Sequence, residues 1–169
     1  RFIGATFLLY IWCKWRKIEL WQSDASLKPG LIAGALFAAE FACIYIGLQF
    51  TSASRLTIFL YTSPFWVALL VPLWVKSEKM GSMQWAGLAL AFCGVVFAMY
   101  DGLSSAVPGH WLGDLLGLAA GVLWGLTTVV IRTSKLAKLS AEKVLFYQIA
   151  VSALVLMALS WALGESWRI

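Results

Sequence analysis

The feature that most constrains this chain is a recurring run of about 20 apolar residues. Such runs occupy residues 30–50, 56–75, 83–100, 111–131 and 144–163, and a shorter one occupies 2–13. A helix rises about 1.5 Å per residue, so about 20 residues cross the roughly 30 Å hydrocarbon layer of a bilayer. The runs lack the alternation of apolar and polar residues that a membrane barrel strand shows. The expected fold is therefore all-α, a polytopic transmembrane helix bundle with six spans. Composition closes off the alternatives. The chain is 62% hydrophobic and 12% charged, against about 45–50% and about 25% in an ordinary soluble domain. One small core cannot hide that much apolar surface from water, and the same composition excludes disorder.

The net charge of +5 would suggest nucleic acid in a soluble protein. Here the basic residues are sorted by loop instead, and no nucleic-acid partner is expected. Lys14, Arg16, Lys17 and Lys28 follow the first run, Lys76 and Lys79 the third, and Arg132, Lys135, Lys138 and Lys143 the fifth. The alternate loops hold Arg55 and the stretch "DGLSSAVPGH", which has no Lys or Arg. By the positive-inside rule the basic loops are cytoplasmic, in the cell (inner) membrane. Trp12, Trp15, Trp74, Trp85, Trp111 and Trp161 fall near the ends of runs, where an indole prefers the interface. Cys13, Cys43 and Cys93 have neither CxxC spacing nor a zinc pattern. The chain begins at Arg1 and stops at Ile169 just after an apolar run, and it reads as part of a longer protein.

Small residues mark helix contacts. Gly113, Gly117, Gly121 and Gly125 recur every four residues, a ladder that lets a second backbone approach closely in lipid. Gly87 and Gly94, with Ala91 and Ala98, form a looser version in the fourth run. These glycines are expected to serve packing.

Glu40 lies inside "GLIAGALFAAEFACIYIGLQF" with no Lys, Arg or His in any run to neutralise it. A charge at bilayer centre costs about 2.5–3.5 kcal/mol on insertion scales. Its carboxyl is therefore either protonated or turned to a wet cavity. Structural use of a protonated acid is the plain alternative to a pathway role. In "IFLYTSPFWV" a proline interrupts an apolar run. Projected as one helix, Ser54, Thr57, Tyr61, Pro64, Ala68 and Pro72 share a face, with Phe59, Ser63, Trp66 and Leu70 opposite. The first face is expected to point inward along a substrate path, unless the proline makes only a static kink. Trp124 and Thr128 share the face of Gly117 and Gly121, and Tyr147 and Gln148 put polar groups into the last run. Each serves either a solute or helix packing. His110 and Asp114 sit at i and i+4. They lack a nucleophile, so an interfacial pair is expected rather than a catalytic one. No phosphate loop, HExxH or metal cluster occurs, so neither cofactor nor metal is expected.

The stretch "LQFTSASRLTIFLYTSPFWVALLVPLWVKSEKMGSMQWAGLALAFCGVVFAM" resembles the EamA-type repeat of the drug/metabolite transporter superfamily. The matching features are "FTSAS" at a helix entry, a proline inside the helix, Glu78 in a short basic loop, and "QWAGLALAFCGVV". "WLGDLLGLAAGVLWGLTTVVIR" resembles the start of a second repeat. The resemblance implies ten helices in two inverted five-helix repeats, of which this chain holds helices two to seven. Residues 1–104 would then be the remainder of the first repeat and 105–169 the beginning of the second. It also implies a carrier of small metabolites or drugs working by alternating access, with a cavity near Tyr61, Pro64 and Trp124. The alternatives are a membrane-embedded assembly subunit and a membrane enzyme.

The loop assignment predicts a labelling pattern. In a cysteine-free background, Lys28→Cys and Lys138→Cys are expected to react with an impermeant maleimide only from the cytoplasmic side. Ser105→Cys is expected to react only from the other side. Labelling of Lys28→Cys and Lys138→Cys from opposite sides would overturn the topology.

Overall fold

A computed structural model describes residues 2–20, 25–75, 79–101 and 110–162. Arg1, Lys76, Glu78, the loop 102–109, Leu163 and Arg168 lie outside the described residues. Those described form α-helices and short connections, without strands. They are α1 (Phe2–Trp15), α2 (Leu27–Gly47), α3 (Ala53–Leu60), α4 (Ser63–Trp74), α5 (Ser82–Ala98), α6 (His110–Thr133) and α7 (Ala141–Ala162). Among the described residues, four spans are long and apolar enough to cross a membrane: α2, α3 with α4, α6, and α7. The shorter α1 and α5 are apolar too. The chain is an all-α membrane helix bundle.

Local sequence explains the helix ends. The Ser52 hydroxyl accepts a hydrogen bond from the Arg55 amide at 3.3 Å and starts α3, satisfying one of the donors that every helix start leaves open. The Gln84 side chain accepts from the Gly81 amide at 2.8 Å before α5. Ser134 accepts from the Leu136 amide at 3.2 Å and opens a 3-10 turn, Lys135–Lys138.

Pro64 is not in the middle of a helix. The segment breaks after Leu60, Thr62 is the N-cap of α4, and Pro64 occupies the first turn of α4. Its missing N–H costs nothing there, because the first-turn amides have no partner inside the helix. The break is closed locally. The Thr62 amide bonds the Phe59 carbonyl at 3.1 Å and the Thr62 hydroxyl donates to the same oxygen at 2.6 Å. Pro72 alone lies inside α4.

The chain folds as two compact units. One comprises Arg1–Ala38 with Val130–Ile169, and the other comprises Ala39–Val129. In the first, Ala33, Leu136 and Val144 form a core flanked by Val130, Ile131, Leu139 and Tyr147. A Cβ at Gly30 would sit 2.8 Å from the Tyr147 ring, and one at Gly34 would sit 2.6 Å from the Val151 Cβ. That separation is smaller than two carbons tolerate, so α2 and α7 meet through glycine. The Tyr147 hydroxyl shares a hydrogen bond of 3.1 Å with buried Ser26. α1 packs along α7.

In the second unit the glycine ladder of α6 faces the segment 51–66 throughout. A Cβ at Gly113 would meet Thr51 at 2.6 Å, one at Gly117 the Phe59 Cβ at 3.0 Å, and one at Gly125 the Trp66 Cβ at 2.8 Å. At Gly121 it would meet the Thr62 hydroxyl at 2.8 Å and the Leu60 and Phe59 carbonyls at 3.2 Å. α5 contacts Phe65 through Trp85 and Phe92, the latter edge-on at 5.4 Å. Gly87 and Gly94 depart from the expected packing role. Nothing among the described residues lies within 4 Å of a Cβ placed on either, because α5 is touched along the side that carries the rings.

These distances predict a contrast. Gly121→Ala forces backbone apart and is expected to destabilise the detergent-solubilised protein by about 1–3 kcal/mol. Gly87→Ala and Gly94→Ala meet open space and are expected to leave stability unchanged or raise it by up to about 1 kcal/mol. Thermal unfolding measures both, and equal losses at all three positions would contradict the assignment.

Candidate functional site

Glu40 lies on α2, roughly 10 Å in from its C-terminal end at 1.5 Å per residue. Leu36, Phe37, Cys43 and Ile44, one turn away on either side, are half-buried apolar neighbours on its own helix. The side chain is only 3% exposed. Its Oε2 is buried without a hydrogen-bond partner. Among the described residues no Lys, Arg or His pairs with it; the ion pairs involve Asp114 with Arg55 and with His110. A buried polar atom left unpaired costs about 1–3 kcal/mol, and more if charged. Helix packing alone has no use for that cost. The arrangement provides a lone acceptor inside a span, suited to a proton or to a donor group brought by a solute.

The proline face is corrected. Of Ser54, Thr57, Tyr61, Pro64, Ala68 and Pro72, only Ala68 is buried; Ser54, Tyr61 and Pro64 are exposed. The opposite set faces α6, through Phe59 and Trp66 together with Thr62. The grouping by faces survives the break at 61–62, and it is the opposite face that meets α6. Trp66, on the opposite face, is packed. Its indole N–H donates to the Thr62 hydroxyl at 3.2 Å while its Cβ closes on Gly125. The tryptophan whose Cβ and backbone meet the glycine ladder is thus Trp66; Trp124 is 44% exposed.

Other expected pathway residues have local partners. The Thr57 hydroxyl donates to the Ala53 carbonyl at 2.7 Å and that of Thr128 to the Trp124 carbonyl at 3.1 Å. Each hydroxyl thus turns back on its own helix. Tyr147 belongs to the first unit, where its ring covers Gly30. Gln148 beside it is half-buried.

Sequence reading paired Asp114 with His110 and missed its principal partner. Arg55 Nε donates to both carboxylate oxygens of Asp114, at 2.7 and 2.9 Å, and Nη2 adds a third bond at 2.8 Å. His110 Nδ1 lies 3.1 Å from the same carboxylate, and the Thr51 hydroxyl donates to it at 3.4 Å. Both the Arg55 and Asp114 side chains are 13% exposed. Bonds from a guanidinium to a carboxylate are charge-assisted and stronger than neutral ones. The group ties the start of α3 to the start of α6. The signal available in sequence was the single Arg of its loop, Arg55.

Comparison with known proteins agrees with this architecture. Residues 1–100 match the EamA-like transporter family. A protein of Archaeoglobus fulgidus, named an uncharacterized transporter, is 29% identical over 93% of this chain and 54% of its own length. The chain thus spans about half the length of that relative. No solved structure matches it. With residues 1–100 of 169 matched, the chain belongs to the EamA-like transporter family.

Proposed function

We propose that the full-length protein is a carrier that moves a small metabolite or drug across the cell membrane by alternating access. In this reading Glu40 takes up a proton or a positively charged group of the solute. The observation that carries it is the Glu40 carboxyl, 3% exposed and with one oxygen unpartnered. Family membership supports transport as the activity. Residues 1–104 are then the remainder of one repeat and 105–169 the beginning of the next, with the basic loops cytoplasmic. Alternating access requires two packings of nearly equal free energy. The break at 61–62 and Pro72 give the α3–α4 span two places to bend. Tyr61, Pro64 and Trp124 remain exposed on this part of the protein and are open to further helices.

The test is solute counterflow in proteoliposomes of the full-length protein, after candidate solutes are ranked by thermal stabilisation. Glu40→Gln is expected to lower flux at least tenfold and to abolish its dependence on a pH gradient. Unchanged flux with unchanged pH dependence would remove Glu40 from the mechanism, and absence of flux from the unsubstituted protein would favour the assembly-subunit reading.

The Arg55–Asp114–His110 group has a structural role in this reading. Arg55→Gln leaves Asp114 without its charged donor and is expected to cost about 1.5–3 kcal/mol of stability. His110→Ala is expected to leave flux unchanged. A variant at His110 that folds normally and loses activity would instead support catalysis at this position.

A further inference from the structure

We propose that the groove between α1 and α7 binds an anionic phospholipid, with an acyl chain in the groove and the phosphate at the basic end of α1. The groove has a volume of about 490 Å³ and is lined by Ile3, Phe7, Tyr10, Phe146, Ala150 and Met157 among others. Thr6 is the aliphatic hydroxyl in the lining, and it donates to the Phe2 carbonyl at 2.8 Å. The wall therefore offers carbon, which suits an acyl chain and gives a polar solute nothing to bond.

The groove has a polar end. Tyr10 and Phe146 meet with ring centroids 6.4 Å apart. They lie near the end of α1 and the start of α7. Just beyond Tyr10 come Lys14, Arg16 and Lys17, all exposed. Trp12 and Trp15, also exposed, stack edge-on at 5.2 Å at this level, and the Arg16 guanidinium lies 6.0 Å from the Trp12 ring centre. Exposed indoles mark the headgroup depth of a bilayer. The basic side chains thus stand where a phosphate would be when its acyl chain lies in the groove. Among the described residues of this unit, Lys14, Arg16, Lys17, Lys28, Arg132, Lys135, Lys138 and Lys143 face only Glu19 and Glu142 as acids.

The division of labour follows from the solvent. An acyl chain gains no hydrophobic free energy by moving from lipid into an apolar groove. The groove supplies shape, and preference must come from the headgroup. Each basic residue near an anionic surface favours it by roughly fivefold. Three such residues give a preference on the order of a hundredfold for an anionic over a zwitterionic lipid. This inference does not rest on the transport reading, and its residues belong to the first unit alone.

The experiment is native mass spectrometry of the full-length protein in detergent, titrated separately with phosphatidylglycerol and phosphatidylcholine. The expected result is retention of one phosphatidylglycerol with a preference on the order of a hundredfold. The triple variant K14Q/R16Q/K17Q is expected to bring that preference close to unity while leaving phosphatidylcholine retention unchanged. Ala150→Trp fills the groove and is expected to reduce retention of both lipids; if it fails to fold, Ala153→Leu serves the same purpose. Glycerol phosphate, which has the headgroup charge but no chain, is expected not to displace the lipid. Equal retention of the two lipids, insensitivity to the triple variant, or displacement by glycerol phosphate would each overturn the proposal.

Discussion

The contact on which the second unit depends is the approach of α6 to a helix that breaks. In lipid a backbone carbonyl cannot turn to water, so an interrupted helix must find its partners in protein. Here the interruption at 61–62 lies directly over Gly121. The glycine leaves room for the Thr62 hydroxyl and the Phe59 and Leu60 carbonyls. Thr62 then closes on Phe59 and accepts from the Trp66 indole. The ladder and the break are one device: small residues on α6 admit an irregular backbone that a Cβ would expel. The Arg55–Asp114 fork sits at the end of the same seam, so polar closure and close packing hold the same two elements together.

Much of the bundle was legible in the sequence, because a span is a one-dimensional signal. Run length and composition locate α2, α6 and α7 to within a few residues, since lipid imposes the same demand along each. The glycine period is likewise local and lies on one helix. What was not legible depends on which element lies opposite. Arg55 and Asp114 are separated by 59 residues, and nothing in either stretch names the other. Gly87 and Gly94 repeat the small-residue pattern of α6 yet face open space. The pattern says that a close approach is allowed, not that a helix arrives.

The proline shows a different failure. A helical projection groups the side chains that share a face but does not say which face meets a neighbour. Ser54, Tyr61 and Pro64 do share a side, and it is the exposed one. The side that reaches α6 is then Phe59, Thr62 and Trp66. The proline was informative about the chain, but as a start signal rather than a kink.

Glu40, like the buried Ser152 hydroxyl, has a polar atom that packing does not account for. Tyr147, Thr57, Thr128 and Asp114 each have a bond that explains their polar group. A packing role at position 40 would be met as well by Leu or Met, which fit a span without the roughly 3 kcal/mol that a carboxylate costs at the centre of a helix. Its Oε2 is buried and has no hydrogen-bond partner. The proposed transport role gives such an acceptor a use, because a cargo or an ion would fill it and later leave.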